Sequence, residues 1–302
     1  MKTLLPLFFV LAGAFAACND QKEQSSDKNL LEAEAERLEE EYETALHKDI
    51  PAADSTSYVM DSLKDFPIKK SIELRLNAAT FEDSLQSIYR RLNLDSANLP
   101  YDVFRMGMIG HYNLRMEGAL GDRDILTLID FTQSSCDKRF YTLDLDSMKI
   151  LFNTYVAHGR NSGGNFASSF SNLSGSNQSS LGFFVTAETY TGSKGYSMRL
   201  DGQEAGINDK VRERAVVMHE AKYVSEDWIS KYGRLGRSLG CPALPEGISR
   251  TVIDSIKNGT TLFAYYNDST YLNASRYLDL DQLMRGGEIV EEVATPLLNP
   301  IN

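Results

Sequence analysis

Cys241 lies in a sequence context that suits a nucleophilic thiol. It follows Gly240 and precedes Pro242, which predicts a tight turn where the glycine leaves the neighbouring backbone amides unobstructed. A thiolate attacks carbonyl carbon well, but it needs a base or a cation nearby to form at neutral pH. His219, which follows three apolar residues, is the obvious base. The two residues are too far apart for one helix face, so a strand and a returning loop must bring them together.

Two arginines and a serine lie close to Cys241 in the sequence. Arg234, Arg237 and Ser238 supply positive charge and a hydroxyl group, and a positive environment lowers the pKa of a thiol. Residue types alone leave a second interpretation open, because a Gly-Cys-Pro turn can also hold a buried thiol and His219 can be a hydrogen-bonded core histidine. The basic and polar neighbours favour the nucleophile.

Several motifs in a fixed order resemble one protein family. His219 and Ser238-Leu239-Gly240-Cys241 are similar to the His…Ser/Thr-x-Gly-Cys signature of the L,D-transpeptidase catalytic domain (YkuD-like) family. The chain resembles in particular a branch of murein L,D-transpeptidases found in lipoproteins of Bacteroidota. The likeness covers about residues 85–275, and its other motifs are DFTQSS at 130–135, VAHGRNSG at 156–163, FSNLSGSNQSSLGFF at 170–184, GYSMRLDGQEAGIND at 195–209 and GRSLGCPA at 236–243.

The resemblance implies a reaction and a substrate. His219 would take the proton of Cys241, and the thiolate would attack a peptidoglycan stem tetrapeptide after its third residue, with release of D-Ala. An amine of a second stem would then accept the acyl group. The backbone N–H groups of Leu239, Gly240 and Cys241 would hold the oxyanion, and the backbone carbonyl of Glu220 would orient the imidazole.

Four further side chains are candidates for substrate binding, namely Ser238, Arg237, Arg234 and His158. Ser238 and Arg237 suit the carboxylates of a stem peptide. His158 begins a loop at the end of an apolar strand, where either a structural hydrogen bond or an active-site role is possible. The loop at 159–180 is rich in Ser, Asn and Gly, which fits a flexible loop or the lining of a cleft, with Phe166 and Phe170 as apolar anchors.

The N-terminus has the composition of an export signal. Lys2 precedes an apolar run that is too short to span a bilayer comfortably, and small residues follow it. Cleavage after Ala14-Phe15-Ala16 would give an ordinary secreted protein, whereas Ala16-Ala17-Cys18 resembles a lipobox. We favour the second alternative, because a polar tract directly follows Cys18. Acylation of Cys18 would anchor the protein in a membrane, facing the periplasm, at the outer membrane in preference to the inner one.

Composition limits the remaining chemistry. The net charge of −11 argues against a nucleic-acid partner. The four histidines and three cysteines show no metal-ligand spacing, and no phosphate-binding glycine motif is present, so we expect neither a metal nor a cofactor. In an exported protein, Cys136 and Cys241 could instead form a disulfide, and this alternative competes with the nucleophile.

The pattern of residue types along the chain predicts an α+β fold, and together with the resemblance it indicates a β-rich L,D-transpeptidase-like sandwich with a helical N-terminal region. Short runs rich in β-branched and aromatic residues predict strands, and helix-length segments do not alternate with them. The predicted strands are 125–131, 139–144, 149–157, 181–190, 196–200, 215–219 and 261–266. The predicted helices are 30–46, 72–76 leading into 81–92, 101–118 and 250–258.

These predictions divide the chain into five segments. They are a signal peptide (1–17), a lipidated flexible tether (18–29), a helical region (30–120), the catalytic domain (121–275) and an acidic C-terminal tail (276–302). Two other functions stay open beside the transpeptidase. One is an L,D-carboxypeptidase or endopeptidase that uses the same Cys-His pair with water as acceptor, and the other is a non-catalytic lipoprotein that binds peptidoglycan.

Overall fold

The computed structural model describes residues 67–285, with side chains from residue 78 onward. Contacts between residues divide the chain into two compact units, 1–69 and 70–302. The described residues belong to the second unit, except for the first three residues of the first helix. Cys18, the predicted signal peptide, tether and helix at 30–46, and the tail after residue 285 lie outside the described residues and stay predictions. Within the described part, no helix is long and apolar enough to cross a bilayer.

Helices and strands follow one another in a mixed order along the described chain. The helices are α1 (Pro67–Arg91), α2 (Tyr101–Met116), α3 (Glu226–Tyr232), α4 (Ser249–Ile256) and α5 (Ser269–Ala274), followed by a short 3-10 helix (Arg276–Leu278). The strands are β1 (Ile125–Asp130), β2 (Phe140–Asp144), β3 (Lys149–Thr154), β4 (Gly182–Gly192), β5 (Gly195–Gly202), β6 (Val217–Glu220), β7 (Ala243–Leu244) and β8 (Thr261–Tyr265).

These eight strands form one mixed sheet in the order β3-β2-β1-β8-β4-β5-β6-β7. The pairs β1–β8 and β6–β7 are parallel, and the other neighbours are antiparallel. A separate antiparallel bridge joins Ala157, which follows β3, to Ala243 of β7, where the Ala157 N–H donates to the Ala243 carbonyl at 2.9 Å. The two edges of the sheet therefore approach each other, and the sheet curls around an apolar interior.

The predicted α+β, β-rich architecture is confirmed, and the described part of the N-terminal region is helical as expected. All seven predicted strands are present, with ends that differ by a few residues, and the helix predicted at 250–258 corresponds to α4. Four elements were missed: β7, α3, α5 and the 3-10 helix. They have two, seven, six and three residues, so none is long enough to show a hydrophobic period.

Two glycines allow α2 to lie directly on the sheet. A Cβ added at Gly107 would lie 2.4 Å from Leu128 Cδ2, and one at Gly110 would lie 2.0 Å from Phe183 Cζ. Phe183 is fully buried, and its ring stacks on Phe263 at a centroid distance of 4.1 Å. Because the rings fill the space beneath it, the helix can approach this closely only where it carries no side chain.

We expect Gly110→Ala to lower the free energy of unfolding by about 1–3 kcal/mol, because the new methyl group overlaps a ring that cannot move aside. Urea denaturation measures this change. Gly164→Ala is the matched control, since no atom lies within 4 Å of a Cβ at Gly164. An unchanged stability of the Gly110 variant would contradict the close packing of α2.

A buried carboxylate holds the beginning of β4 to the C-terminal helices. Glu204 Oε2 accepts hydrogen bonds from Phe183 N at 2.7 Å and from the Tyr271 hydroxyl at 3.2 Å, and its other oxygen accepts from Ser275. Asn208 Nδ2 donates to the carbonyls of Leu181 and Phe183. The motif at 195–209 therefore has a structural role, because the polar side-chain atoms of Glu204 and Asn208 form hydrogen bonds with the backbone and with the C-terminal helices.

Candidate active site

The pairing of β6 with β7 brings Cys241 to the strand that carries His219. His219 lies opposite Ala243 in this parallel pair, two residues after Cys241. The Val217 N–H donates to Cys241 Sγ at 3.4 Å, and Sγ lies 3.9 Å from the Ala215 carbonyl oxygen. The sulfur is therefore fixed at the beginning of β6, two positions before His219. The strand and returning loop expected from the sequence supply this geometry.

The backbone of the next residue fixes the orientation of the His219 ring. The imidazole is 3% exposed, and its Nδ1 lies 2.7 Å from the Glu220 carbonyl oxygen, the contact expected from the resemblance. A carbonyl can only accept, so Nδ1 carries the hydrogen and Nε2 of the neutral ring has a free lone pair. Burial lowers the pKa of His219 below its ordinary value, against the opposing effect of the Glu220 carbonyl. The ring is therefore neutral at neutral pH.

Cys241 is half-buried, and its thiol is also kept neutral in the resting site. Burial raises the pKa of Cys241, while the Val217 N–H and the charges of Lys194 and Arg214 act in the opposite direction. Since the pKa of the thiol rises and that of His219 falls, both shifts favour a neutral thiol–imidazole pair over a standing ion pair. The sequence missed Lys194 and Arg214, which reach the site from the β4–β5 hairpin and from the segment before β6.

The turn that carries Cys241 depends on the absence of a side chain at Gly240. Gly240 has φ +122°, and a Cβ there would lie 2.8 Å from the Gln178 carbonyl oxygen. The Gly240 N–H donates to Ser238 Oγ at 3.1 Å, and Ser238 Oγ donates to the Cys241 carbonyl at 2.6 Å. Among the described residues, the N–H groups of Leu239 and Cys241 donate to no protein atom, whereas the expected Gly240 donor is already engaged. The first two are therefore the candidate oxyanion donors.

Ser238 and His158 are buried and hold the turn by hydrogen bonds, and their predicted role in substrate binding stays a prediction. Ser238 is 5% exposed and His158 is 1% exposed. The Ser238 N–H donates to the His158 carbonyl at 2.9 Å, while Arg139 Nη2 donates to His158 Nδ1 at 2.7 Å. Burial and the Arg139 charge lower the pKa of His158 to about 4, so it stays neutral.

The two predicted arginines near Cys241 bind backbone carbonyls. Arg237 is exposed, and its Nη1 donates to the carbonyls of Arg160 at 3.0 Å and Gly163 at 2.9 Å. Arg234 Nη1 donates to the Leu235 carbonyl at 2.7 Å. Neither contributes to the shifted pKa of Cys241. Arg237 joins the turn at Cys241 to the loop at 159–180, and its role toward a substrate stays a prediction, as does that of Arg234.

Cys136 and Cys241 are both free thiols, so the disulfide alternative is wrong for this structure. Cys136 Sγ lies 3.4 Å from the Gly233 carbonyl oxygen and 3.6 Å from Asn165 Oδ1. Among residues 78–285, no group of three His, Cys, Asp or Glu side chains is arranged to hold a metal ion.

The polar loop at 159–180 is fixed to the site by hydrogen bonds. Ser179 Oγ accepts from the Gly159 N–H at 3.0 Å and donates to the Gly240 carbonyl at 3.3 Å. Phe170 packs between Phe131 and Tyr266, with centroid distances of 5.5 and 4.9 Å, so it belongs to the core. Phe166 is 56% exposed and remains the loop's candidate for an apolar contact with a ligand.

A separate cavity of about 550 Å³ is lined by β3, by the residues just before α3 and by the residues just after β7. Its lining includes Lys138, Tyr155, Lys222, Glu226 and Glu246, and neither His219 nor Cys241 borders it. The position of the thiol therefore follows from the β6–β7 pairing and not from this cavity.

Comparison with known proteins places this geometry in context. A family model described as the L,D-transpeptidase catalytic domain matches residues 95–265, more than half of the chain. No curated protein sequence gives a significant match.

Solved structures similar to this chain include L,D-transpeptidases. The L,D-transpeptidase from Mycobacterium smegmatis has a TM-score of 0.29 and 13% identity over 48% of this chain and 59% of that chain. The L,D-transpeptidase from Xylanimonas cellulosilytica has a TM-score of 0.29 and 12% identity over 48% and 62%. The helical cell shape determining protein Pgp2 from Campylobacter jejuni has a TM-score of 0.34 and 12% identity over 62% and 64%. The match thus spans about 60% of the length of these proteins.

Proposed function

The chain belongs to the L,D-transpeptidase catalytic domain family, and from this premise we propose that it is a cysteine-dependent L,D-transpeptidase acting on peptidoglycan stem peptides. Family membership supports an enzyme that acts on peptidoglycan. The observation that carries the finer proposal is the hydrogen bond between His219 Nδ1 and the Glu220 carbonyl at 2.7 Å, because it leaves Nε2 free to accept a proton, while the Val217 N–H holds Cys241 Sγ against the same strand.

The first half of the reaction forms a thioacyl enzyme. His219 Nε2 takes the proton of Cys241, and the sulfur attacks the carbonyl carbon of the peptide bond that follows the third stem residue. The N–H groups of Leu239 and Cys241 hold the negative oxygen of the tetrahedral intermediate, a contribution of about 3 kcal/mol per donor. When the intermediate collapses, the C–N bond breaks and the imidazolium returns its proton to the departing amine of D-Ala.

In the second half, the acyl group passes to an amine of another stem peptide. His219 removes a proton from the attacking amine, the new C–N bond forms, and the thiolate leaves and recovers its proton from the imidazolium. Cys241 and His219 thus end in the neutral state in which they began. The proposed lipid anchor at Cys18 would hold this domain at the periplasmic side of a membrane, next to its peptidoglycan substrate.

Product analysis tests the proposal. We expect full-length protein in detergent, incubated with a disaccharide tetrapeptide, to release D-Ala and to form cross-linked dimers that mass spectrometry detects. Tripeptide without dimers would indicate the hydrolase, in which water resolves the thioester. An unchanged tetrapeptide would contradict both reactions. Protein whose Cys241 has been alkylated beforehand is the control, because it retains the fold but lacks the free thiol.

A further inference from the structure

Arg214 places its guanidinium behind the turn that carries the nucleophile. It lies on the segment that leads into β6 and is half-buried. All four Nη hydrogens meet acceptors that carry no charge and belong to residues 171–180. Nη1 donates to the Ser171 carbonyl at 2.7 Å and to Ser180 Oγ at 2.5 Å, and Nη2 donates to the Gln178 carbonyl at 2.7 Å and to Ser176 Oγ at 3.2 Å.

No carboxylate within the described residues neutralises Arg214. Its neighbour Arg212 is paired with both Glu188, at 2.9 Å, and Asp201, at 2.5 Å, whereas Arg214 forms no ion pair with any residue that the structure describes. Partial burial of a cation without a counter-ion costs free energy, because neutral acceptors replace only part of its hydration. The positive charge of Arg214 is therefore available to stabilise a negative charge that forms nearby.

Cys241 is a group close to Arg214 that can become negative, and a charge on its sulfur acts on the guanidinium. Its Sγ lies 3.9 Å from the carbonyl oxygen of Ala215, the residue after Arg214. A Cβ at Gly240 would lie 3.5 Å from Arg214 Nη2 and 2.8 Å from the Gln178 carbonyl that the same nitrogen binds. The guanidinium therefore borders the Gly240–Cys241 peptide and also holds the backbone against which that peptide packs.

We propose that Arg214 is a positioning residue for the nucleophile, which fixes residues 171–180 behind Gly240 and provides an unpaired positive charge that stabilises the Cys241 thiolate as it forms. The mechanism rests on the proposed function, since a thiolate matters only if Cys241 reacts. Because its four Nη hydrogens are occupied, Arg214 acts through the loop and through its charge, not by binding substrate. The charge needs no reorganisation when His219 removes the thiol proton.

Alkylation of the thiol tests the charge directly, without any peptidoglycan. The rate constants of Cys241 with anionic iodoacetate and neutral iodoacetamide are measured across pH in the full-length protein, with mass spectrometry of the Cys241 peptide. The half-buried thiol of Cys136 in the same samples is the internal reference. In the unaltered protein, we expect the ratio of iodoacetate to iodoacetamide rates to be higher at Cys241 than at Cys136. Equal ratios would overturn the proposal before any variant is made.

Substitutions of Arg214 distinguish the effect of its charge from its effect on the loop at 171–180. Arg214→Gln should lower the iodoacetate preference of Cys241 by about tenfold and move its alkylation profile to higher pH. Arg214→Lys should keep most of the preference and still lose cross-linking activity, because an ammonium cannot hold four acceptors in one plane. Arg212→Gln is the matched control and should leave the preference unchanged.

Thermal melts show which variants are folded. A folded Arg214→Gln protein with an unchanged preference would overturn the proposal. If Arg214→Gln does not fold, Arg214→Lys decides, and loss of the preference in that folded, still cationic variant would equally overturn it. These outcomes are independent of the product analysis, so a failure of this inference and a failure of the transpeptidase reaction can be told apart.

Discussion

Replacement of Cys241 by alanine is expected to abolish both D-Ala release and cross-linking, with a loss of at least about 10⁴-fold in rate. In the proposed reaction the sulfur is the atom that carries the acyl group, so nothing else in the site can substitute for it. Sγ also receives the Val217 N–H at 3.4 Å, but loss of this weak contact should change stability little. Activity is followed by D-Ala release and the fold by a thermal melt.

The other free thiol provides the control for Cys241. Cys136→Ser keeps a polar atom near the Gly233 carbonyl, 3.4 Å from the present sulfur, and should retain activity. Mass spectrometry of the unaltered enzyme with tetrapeptide should detect an adduct on the Cys241 peptide that lacks D-Ala, and the alanine variant should show none. Peptidoglycan turnover by a folded Cys241→Ala protein would rule out the thiol mechanism, and binding without turnover by the unaltered protein would support the non-catalytic alternative.

The sequence predicted the parts of this site that depend on residue type and on short local geometry. These parts are the tight turn at Gly240–Cys241 and the contact between His219 Nδ1 and the Glu220 carbonyl. Each depends on one residue type at one position of the chain. The strands were predictable for a similar reason. The run Ile125–Asp130 is mostly apolar, and all six of its residues are buried, which is typical of a strand covered on both faces.

The supporting charges could not be predicted in the same way. Arg234 and Arg237 are close to Cys241 in the chain, yet their Nη atoms bind carbonyls of Leu235, Arg160 and Gly163. Arg214 and Lys194 are distant in the chain and close in space, and only the pairing of β5 with β6 and of β6 with β7 brings them to the thiol.

The sequence also did not reveal which polar side chains near the site are buried. Ser238 was expected to help bind the carboxylates of a stem peptide, and the fold shows that its hydroxyl also closes the Gly240–Cys241 turn. His158 was open between two roles, and the fold adds that it is buried and accepts a hydrogen bond from the buried Arg139, while its role toward a substrate stays a prediction. A polar side chain at a strand end is thus ambiguous until its hydrogen-bond partners are known.

His219→Gln is expected to lower the rate of D-Ala release by about 10²–10⁴-fold, the usual contribution of a positioned general base. Glutamine preserves a side chain of similar reach in this buried position but cannot take the thiol proton. The pH profile gives a sharper readout than the rate. Burial holds the pKa of His219 below its ordinary value, so the imidazole remains unprotonated as the pH falls to its ordinary range near 6.5.

Activity of the unaltered enzyme should therefore fall on the acid side only below about pH 6.5, where the imidazole gains a proton and can no longer accept one. In His219→Gln this acid limb should disappear, and the residual rate should rise with pH as the thiol ionises above its ordinary range. His158→Gln is the matched control, because loss of a buried histidine that stays neutral can weaken the turn but should leave the acid limb in place. Iodoacetamide alkylation of Cys241 that is independent of pH between about 5 and 8 would mean a standing thiolate–imidazolium pair, and it would contradict the neutral resting state on which this expectation depends.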